Sequence, residues 1–471
     1  MLTYDLKKRG KQPLYHYLYR CIRKDIEDGA IAPDEKLPSK RSLAAHLGVS
    51  IQTVQNAYGQ LVSEGYISAV EKSGYFACKW EKPDIRTRQA VKQPLPNERP
   101  AASGWQVDFT RNTVLRELFP FSAWAKITRQ ILCERNEGLF SPLPHNGLPA
   151  LRKAIAAYLK RYKGISVSSE QILIGAGTEY LYSLLVKLLG ADQIYALEDP
   201  GYRKISRIYQ SEGAACVWIP ADGIGLYADT LENSKAQVVH VSPSHHFPTG
   251  TIMPALRRQK LLHWAEGKKS RYIIEDDYDS EFRYLGRPIP PILELDHAEK
   301  VLYMNTFSKT LSPAIRISYL ILPPHLLERY HRKLGFLSCT VSAQEQFTLA
   351  RFIETGLFER HLNRSIRAYK LRRDEIIHLI REAFGTAVDI KEADSGLHFI
   401  AHFKNLNDQQ IKDWFQAAGI HISCLSDYYH TPALAPEGRA VINYSGVDPR
   451  TLQSALQMLP VHPPASKTAA R

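Results

Sequence analysis

Short apolar segments alternate with amphipathic stretches through most of this chain, and this alternation restricts the fold more than any other feature. It begins at about Val107, and the segment from Leu181 to Leu189 is a typical amphipathic stretch. The candidate strands are 171–174, 193–197, 238–241, 272–274, 301–303 and 317–321. Strands that alternate with helices are typical of a parallel sheet covered by helices. We therefore predict an α/β domain with a mostly parallel sheet.

The chain changes character after about His331, where helical patterns dominate. Two late apolar runs, 396–400 and 440–443, predict a smaller C-terminal α+β region. At 471 residues the chain is also longer than one hydrophobic core normally serves, so at least two domains are expected.

Composition narrows the class of protein. The 44% hydrophobic and 23% charged residues are ordinary for a soluble globular protein, and the net charge of +13 favours polyanionic partners, although many proteins are merely basic. Six scattered cysteines contain no CxxC pair, so neither a metal site nor a disulfide framework is predicted. With Asp5 where a signal peptide needs apolar residues, and no run long enough to span a bilayer, we expect a cytoplasmic protein without membrane contact.

The first 80 residues read as a small helical domain that ends in a hairpin. An apolar stripe from Leu14 to Ile26 predicts a first helix, and Ser39 and Ser50 are good N-caps for two further helices, about 40–47 and 51–64. Gly48-Val49-Ser50 makes a tight turn between those two helices. The segments 66–70 and 74–77 then predict two strands around a charged tip. This order is that of a winged helix-turn-helix.

A stretch with four prolines and few large apolar residues follows from Glu81 to about Gln106 and predicts an exposed linker. The predicted organisation is therefore a DNA-binding domain at 1–80, a linker at 81–106 and a large domain at 107–471.

The third helix carries the side chains that suit base recognition. A winged helix-turn-helix inserts the N-terminal end of this helix in the major groove, and Gln and Asn side chains suit bidentate contact with adenine. Cations at the start of the preceding helix can meet a phosphate, and the hairpin tip can follow the DNA backbone. The candidate DNA-binding residues are Lys40, Arg41, Ser50, Gln52, Thr53, Gln55, Asn56 and Lys72. A small helical domain used for protein contacts is the alternative.

The whole run from Leu37 to Phe76 resembles the GntR family of repressors. Leu37-Pro38-Ser39-Lys40-Arg41, Leu47-Gly48-Val49-Ser50, Glu64-Gly65-Tyr66 and Gly74-Tyr75-Phe76 carry the resemblance. It implies DNA contacts by Arg41, Ser50, Gln52, Thr53 and Gln55. One departure is Ile51, since family members often have Arg or a polar residue after the capping Ser.

A second constellation is Thr306-Phe307-Ser308-Lys309, which follows a candidate strand and precedes Arg316. A lone lysine is usually a solvated surface residue, but this one lies where open α/β sheets place ligands. A lysine there can form an imine with an aldehyde, and the hydroxyls with Arg316 can hold a phosphate.

The run Glu275-Asp276-Asp277-Tyr278-Asp279 ends another candidate strand and allows three interpretations. It is a solvated acidic turn, a magnesium site, or the source of a carboxylate that pairs with a pyridinium nitrogen. The lysine thirty-odd residues later favours the third. Gly177-Thr178 at a strand–helix turn can cradle phosphate, and Tyr202, after the strand that ends at Asp199, offers a ring for stacking.

Together these elements resemble fold-type I aminotransferases, in the same order, from about Val107 to Pro460. The resemblance implies a mostly parallel seven-stranded sheet with a smaller C-terminal α+β subdomain. The resemblance implies pyridoxal 5'-phosphate as cofactor, held in an internal imine by Lys309, with Asp276 on the pyridine nitrogen. It also implies that Tyr278 contacts the phenolic oxygen and that Tyr202 stacks on the ring. The phosphate residues that it implies are Gly177, Thr178, Thr306, Ser308 and Arg316. Joined to a GntR-like head, the chain is similar to MocR regulators, including the GabR type, which implies a homodimer.

Two departures from working aminotransferases set the functional prediction. Phe247 stands where these enzymes have an Asn that contacts the cofactor's phenolic oxygen, and Asn443-Tyr444-Ser445-Gly446 lacks their carboxylate-binding Arg, with only Arg439 nearby. We predict a transcription regulator that senses pyridoxal phosphate, an amine or an amino acid, and that binds a double-stranded DNA operator. It is not expected to be an enzyme, apart from residual half-transamination. The alternatives are an active aminotransferase with an accessory DNA-binding head, and an inert dimerisation scaffold.

Overall fold

A computed structural model of the chain describes residues 2–80, 104–111, 113–134, 137–286 and 290–460. These residues divide into two compact units, with the boundary at about residue 101. Most of the predicted linker, 81–106, and the chain end after Pro460 lie outside the described residues. No helix within the described ranges is both long and apolar enough for a bilayer span.

The first unit is a three-helix domain with a small sheet. Its helices and strands are α1 (Leu14–Glu27), β1 (Lys36–Leu37), α2 (Lys40–Leu47), α3 (Ile51–Ser63), β2 (Ile67–Val70) and β3 (Gly74–Ala77). The Ser39 hydroxyl accepts from the Ser42 amide at 3.1 Å and caps α2. Gly48 ends α2 in the left-handed conformation, with φ +65°, which residues other than glycine rarely adopt. These elements agree with the sequence prediction, except that the two-residue β1, which pairs with β3, was not predicted.

A single apolar core holds this unit together. Leu43 on α2 and Val54, Tyr58 and Leu61 on α3 are fully buried beside Ile22 of α1. Because these residues recur at helical spacing, each helix presents one apolar face inward and leaves its polar face exposed.

The second unit begins with the short strand β4 (Val107–Asp108) and is built on an eight-stranded sheet. The strands of this sheet are β5 (Ile172–Gly175), β6 (Ile194–Asp199), β7 (Ala215–Asp222), β8 (Gly225–Leu226), β9 (Val238–Val241), β10 (Tyr272–Asp276), β11 (Val301–Thr306) and β12 (Ser318–Ile321). Their order across the sheet is β5-β12-β11-β10-β9-β6-β7-β8. The predicted mostly parallel sheet is confirmed. It carries an eighth strand beyond the seven predicted, because the two-residue β8 folds back antiparallel onto β7.

A second strand of this sheet besides β8 is antiparallel to its neighbours. The four-residue β12 pairs antiparallel with both β11 and β5. The chain returns from β11 to β12 through residues 307–317, so both strands meet at the carboxyl end of β11. The segment that carries Lys309 therefore lies in the loop that reverses the chain there.

Helices pack on both faces of the large sheet. The helices of this part of the chain are α4 (Phe121–Cys133), α5 (Pro149–Lys163), α6 (Thr178–Leu189), α7 (Arg203–Ser211), α8 (Ala228–Asn233), α9 (Ala255–Glu266), α10 (Ile292–Leu295), α11 (Phe307–Thr310), α12 (Pro324–Leu334), α13 (Ala343–Glu354) and α14 (Leu357–Phe384), of which α14 packs mainly on the C-terminal region. Separate apolar clusters on the two faces surround strand residues such as Tyr303 and Ile274. Burial on both faces explains why these strands are continuous apolar runs.

The C-terminal region is a smaller α+β layer, as predicted. Its sheet has the order β13-β14-β17-β16 and is antiparallel throughout. The elements are β4 (Val107–Asp108), β13 (Val388–Lys391), β14 (His398–Phe403), α15 (Asp408–Ala417), β15 (Ile420–His421), β16 (Ser423–Cys424), β17 (Arg439–Asn443) and α16 (Pro449–Gln457). β4 pairs with β15, which ties the start of the second unit to this layer.

Candidate functional site

A cavity of about 690 Å³ lies at the carboxyl ends of the central strands of the large sheet. Open α/β sheets bind ligands at this edge. Eight of the nine predicted cofactor residues line it, namely Thr178, Tyr202, Asp276, Tyr278, Thr306, Ser308, Lys309 and Arg316. The ninth, Gly177, is adjacent, since a Cβ there would lie 2.8 Å from the Arg316 guanidinium carbon. The fold thus brings together residues that are up to about 140 positions apart.

Lys309 lies on the single-turn helix α11, directly after β11. Burial lowers the pKa of its amine to about 8, although Asp279 and Asp276 act in the opposite direction. A lysine with this pKa is partly neutral near physiological pH. It can therefore attack a carbonyl far more readily than an exposed lysine can.

Asp276 is the last residue of β10 and is almost fully buried. The Tyr182 hydroxyl donates to its Oδ2 at 2.6 Å, and His240 Nε2 lies 3.4 Å from the same oxygen. The other carboxylate oxygen, Oδ1, has no hydrogen-bond partner among the described residues. A buried carboxylate oxygen without a donor is costly, so this atom fits a ligand that supplies one.

The other end of the cavity is suited to an anion. The N-terminus of α6 begins at Thr178, after Gly177 with φ +88°. The Arg316 guanidinium lies across this turn, where its Nη2 donates to the Ala176 carbonyl at 3.2 Å and lies 3.8 Å from Glu179. Because a side chain at 177 would collide with Arg316, glycine is required for this close approach.

Three further cavity residues carry hydroxyl groups. Thr306 Oγ1 accepts from the Ser308 amide at 3.1 Å and from the Ser318 hydroxyl at 2.8 Å, so it stabilises the turn that carries Lys309. Tyr278 lines the cavity, with its hydroxyl oxygen 3.2 Å from His245 Nδ1. Tyr202 is 46% exposed and its ring lies edge-on to Phe247, with 5.9 Å between the ring centroids.

The carboxylates of the acidic run at 275–279 do not face a common point. Glu275 accepts from the backbone amides of Ile292 and Leu293, and Lys163 lies 2.7 Å from Asp277. Burial raises the pKa of Glu275 to about 7, whereas the Lys163 ammonium and neighbouring hydrogen bonds keep the pKa of Asp277 low despite burial. The magnesium interpretation is therefore disfavoured, because adjacent carboxylates have separate protein partners.

Three buried side chains of types that can ligate a metal do lie close together. His245, Asp279 and His398 offer ligand atoms that lie within 4.8 Å of one another. His245 Nδ1 is 2.9 and 3.0 Å from the two oxygens of Asp279. The sequence did not single out these three residues as a group.

The two departures from aminotransferases have clear structural settings. Phe247 lines the cavity and contacts the rings of Tyr202, Tyr428 and His398, so no polar group stands at this position. A Cβ on Gly446 would lie 1.8 Å from Thr113 Oγ1, so a side chain there requires Thr113 to move.

Arg439 does not replace the missing arginine. It is the first residue of β17, whereas the cavity is lined by Asn443 at the other end of that strand. Asn443 Nδ2 donates to the Phe109 carbonyl at 2.8 Å, which leaves its side-chain oxygen unpartnered within the described residues.

In the first unit, the predicted DNA-binding residues lie on an exposed polar surface. Ser50 caps α3 by accepting from the Thr53 amide at 3.1 Å, and Gln52 Nε2 donates to Asn56 Oδ1 at 2.8 Å. Gln52, Gln55 and Asn56 are all exposed.

The three predicted phosphate-contacting cations lie at the start of α2 and at the tip of the β2–β3 hairpin. Arg41 is exposed on the first turn of α2, and the neighbouring Lys40 ammonium lies 5.9 Å from the centre of the Tyr75 ring. Lys72 lies at the tip of the hairpin in the left-handed conformation, with φ +59°.

Both units match known families. The model described as bacterial regulatory proteins of the gntR family matches residues 14–76, and the model described as aminotransferase class I and II matches residues 106–459. The chain is 35% identical to the HTH-type transcriptional regulator YdeL of Bacillus subtilis, over 95% of this chain and 96% of that protein. It is 31% identical to the probable rhizopine catabolism regulatory protein MocR of Rhizobium meliloti, over 96% and 94% of the two chains. The chain belongs to the MocR-type transcriptional regulators.

Two further similarities describe what this MocR-type regulator is like. It is 31% identical to PdxR of Corynebacterium glutamicum, named a pyridoxine biosynthesis transcriptional regulator, over 87% of each chain. Its fold matches Pyrococcus horikoshii kynurenine aminotransferase, solved in complex with PMP, with a TM-score of 0.67 and 22% identity over 76% of this chain and 90% of that one. The relatives are thus named as regulators, whereas the large unit has the fold of an enzyme.

Sequence reasoning missed several residues of the regulator's cavity. From the sequence, Tyr182 and His240, which contact Asp276, are assigned only to a helix and a strand. A histidine in the otherwise apolar strand β9 was the available signal, because an unpaired polar group is rarely buried in a central strand. Tyr182 gave no such signal, because a tyrosine on the apolar face of an amphipathic helix is equally typical of an ordinary core residue.

Proposed function

We propose that this regulator binds pyridoxal phosphate through Lys309 and controls transcription according to what occupies that site. The observation that carries the proposal is the unpartnered buried oxygen of Asp276 in the cavity that also holds Lys309. A protonated pyridine nitrogen is the donor that this oxygen lacks. When bound, the cofactor supplies an aldehyde that reacts with amines and a ring that withdraws electrons.

The remaining groups match the other parts of the cofactor. Arg316, Thr178 and the tight turn at Gly177 form an anion site for the phosphate. Tyr202 is partly exposed and has a ring for stacking on the pyridine, and Tyr278, which lines the cavity, has a hydroxyl for the phenolic oxygen. Ser308 lines the same end as Arg316, while Thr306 holds its turn in place.

Effector sensing is favoured over steady turnover. Phe247 removes a polar contact to the cofactor, and position 446 has no room for a clamping arginine unless Thr113 moves. An amino-acid substrate would therefore lack the bidentate contact that orients its carboxylate. Small amines, amino acids and pyridoxal phosphate itself are the proposed effectors.

The output of the proposed switch is DNA binding by a homodimer. Gln52, Thr53, Gln55 and Asn56 on α3 would read base edges, with Ser50, Lys40, Arg41 and Lys72 on the phosphate backbone. Two heads in a dimer would read paired half-sites. Coupling requires that the effector bind two states of the protein with different affinity.

The test is the visible absorption spectrum of the purified full chain, with pyridoxal phosphate and then with a panel of amines and amino acids. We expect a band from lysine-bound cofactor that is absent in Lys309→Ala and that changes with one compound. Affinity for DNA upstream of the protein's own gene should change with the same compound. Accumulation of a keto acid over many turnovers would instead support an aminotransferase. Absence of the band in the wild type would contradict the cofactor proposal.

A further inference from the structure

Asp279 and His245 form a buried hydrogen-bonded pair next to the Tyr278 hydroxyl. Their side chains are only 2% and 1% exposed, and both oxygens of Asp279 lie within 3.0 Å of His245 Nδ1. The same nitrogen lies 3.2 Å from the Tyr278 hydroxyl oxygen. A single nitrogen therefore faces three oxygen atoms.

The chemistry of this contact fixes the direction of its hydrogen bonds. A carboxylate only accepts, so His245 Nδ1 must carry the hydrogen that Asp279 receives. Tyr278 then cannot donate to Nδ1, and its oxygen can only share the same N–H. The hydroxyl hydrogen of Tyr278 must point elsewhere, and Tyr278 lines the cavity.

The contact with His245 Nδ1 also prepares the Tyr278 hydroxyl as a donor. An oxygen that accepts a hydrogen bond also becomes a stronger donor, because chained hydrogen bonds polarise one another.

The backbone holds the His245 ring in this position. Gly396, with φ +68°, packs so closely that a Cβ there would lie 1.8 Å from His245 Cε1. Any side chain at 396 would displace the ring from Asp279 and Tyr278. The close approach thus restricts the imidazole to one orientation.

We infer that Asp279 and His245 are positioning residues that aim the Tyr278 hydroxyl at the phenolic oxygen of the cofactor, in place of the polar group missing at Phe247. His245 lies two residues before Phe247 in the same segment. The segment that lacks a polar contact to the cofactor at Phe247 therefore supplies a polar group that contacts Tyr278 instead. The inference rests on the proposed function, since it needs a cofactor in the cavity.

Asp279→Asn is the decisive variant because it preserves shape and reverses one hydrogen bond. The new amide can donate to His245 Nδ1, which then takes the opposite tautomer and no longer has a hydrogen to donate to the Tyr278 oxygen. Exchange of an orienting aspartate for asparagine acts on histidine in this way in catalytic triads. We expect about tenfold weaker binding of pyridoxal phosphate and a changed ratio of the two absorbance bands of lysine-bound cofactor, at fixed pH.

A double-variant cycle separates positioning from a structural role. Tyr278→Phe should produce a similar change, and adding Asp279→Asn to it should then alter affinity and band ratio less than twofold. His245→Gln is a second route if Asp279→Asn does not fold, and the melting temperature without cofactor checks each variant. An equal effect of Asp279→Asn with and without Tyr278 would overturn the inference, as would an unchanged wild-type-like spectrum.

His398→Gln is the matched control. His398 is equally buried and its ring centroid lies 4.5 Å from that of His245, but its hydrogen bond goes to the Pro248 backbone. We expect less than a twofold effect on affinity and band ratio. If His398→Gln and a chelator both reproduce the effect of Asp279→Asn, the three residues hold a metal ion and the positioning role is wrong. A wild type without any cofactor band would refute the proposed function itself.

Discussion

The α3 surface and the Lys309 cavity are built in opposite ways. On α3, the hydrogen bonds that order the polar side chains are local, joining residues three or four positions apart, such as Ser50 to Thr53 and Gln52 to Asn56. In the cavity, Tyr182 and Asp276 are 94 positions apart, and Arg316 and the Ala176 carbonyl are 140 apart. The first surface depends on one helix, and the second depends on the whole large unit.

This difference predicts how each region responds to change. An exposed polar helix face can lose one side chain without disturbing its neighbours, so effects should be confined to the DNA contact concerned. A buried charge that relies on distant partners transmits any change to the whole cavity. Single substitutions in the two regions therefore test this difference.

The largest effect is expected for Asp276→Asn, in the cavity. The neutral amide cannot pair with a protonated pyridine nitrogen, so a charge-assisted hydrogen bond of about 1.5–3 kcal/mol is lost. Affinity for pyridoxal phosphate, measured by fluorescence titration, should fall by about 10- to 150-fold.

Asp277→Asn is the matched control for that change. Its carboxylate is equally buried but pairs with Lys163, and it does not line the cavity. It should lower the melting temperature more than it lowers affinity for the cofactor. Equal losses of affinity in the two variants would mean that the acidic run acts as a unit.

The second effect concerns pH. Because burial lowers the pKa of Lys309 to about 8, the neutral, nucleophilic amine is the minor form below that pH. The rate at which pyridoxal phosphate attaches to the cofactor-free protein should rise about tenfold per pH unit up to about pH 8 and then level off. Stopped-flow absorbance measures this rate. A profile that keeps rising to pH 10 would indicate an ordinary solvated lysine.

A smaller effect is expected for Gln55→Ala, on the exposed face of α3. Loss of a bidentate contact to a base costs about 1–3 kcal/mol for the specific site and leaves non-specific binding unchanged. Arg41→Ala should instead weaken binding to all sequences and reduce the salt dependence by about one ion. Fluorescence anisotropy at several salt concentrations distinguishes the two. A uniform loss in Gln55→Ala would place that residue on the phosphate backbone.

The smallest effect is expected for Ser39→Ala, which removes the N-cap of α2. The cost should be about 1 kcal/mol of local stability, visible as faster amide hydrogen exchange in α2. The absorbance of lysine-bound cofactor should be unchanged, because this cap lies in the other compact unit. Ser68→Ala, an exposed residue of β2, is the control and should change stability by less than about 0.5 kcal/mol.

The sequence predicted the head in almost complete detail. Its caps at Ser39 and Ser50, the turn at Gly48 and the hairpin were all recognisable, because each depends on a few adjacent residues. The missed strand β1 has only two residues and exists through its pairing with β3, which no local signal records.

For the large unit, the strand–helix alternation, the sheet class and the motif around Lys309 are predictable from the sequence alone. It could not assign the neighbours that give those residues their properties. The partners of Asp276, the low pKa of Lys309, the His245–Asp279 pair and the lack of space at Gly446 were decided only by the tertiary structure. The physical reason is that burial and hydrogen bonding depend on which strands and loops meet at the sheet edge, and those contacts join residues far apart in the chain.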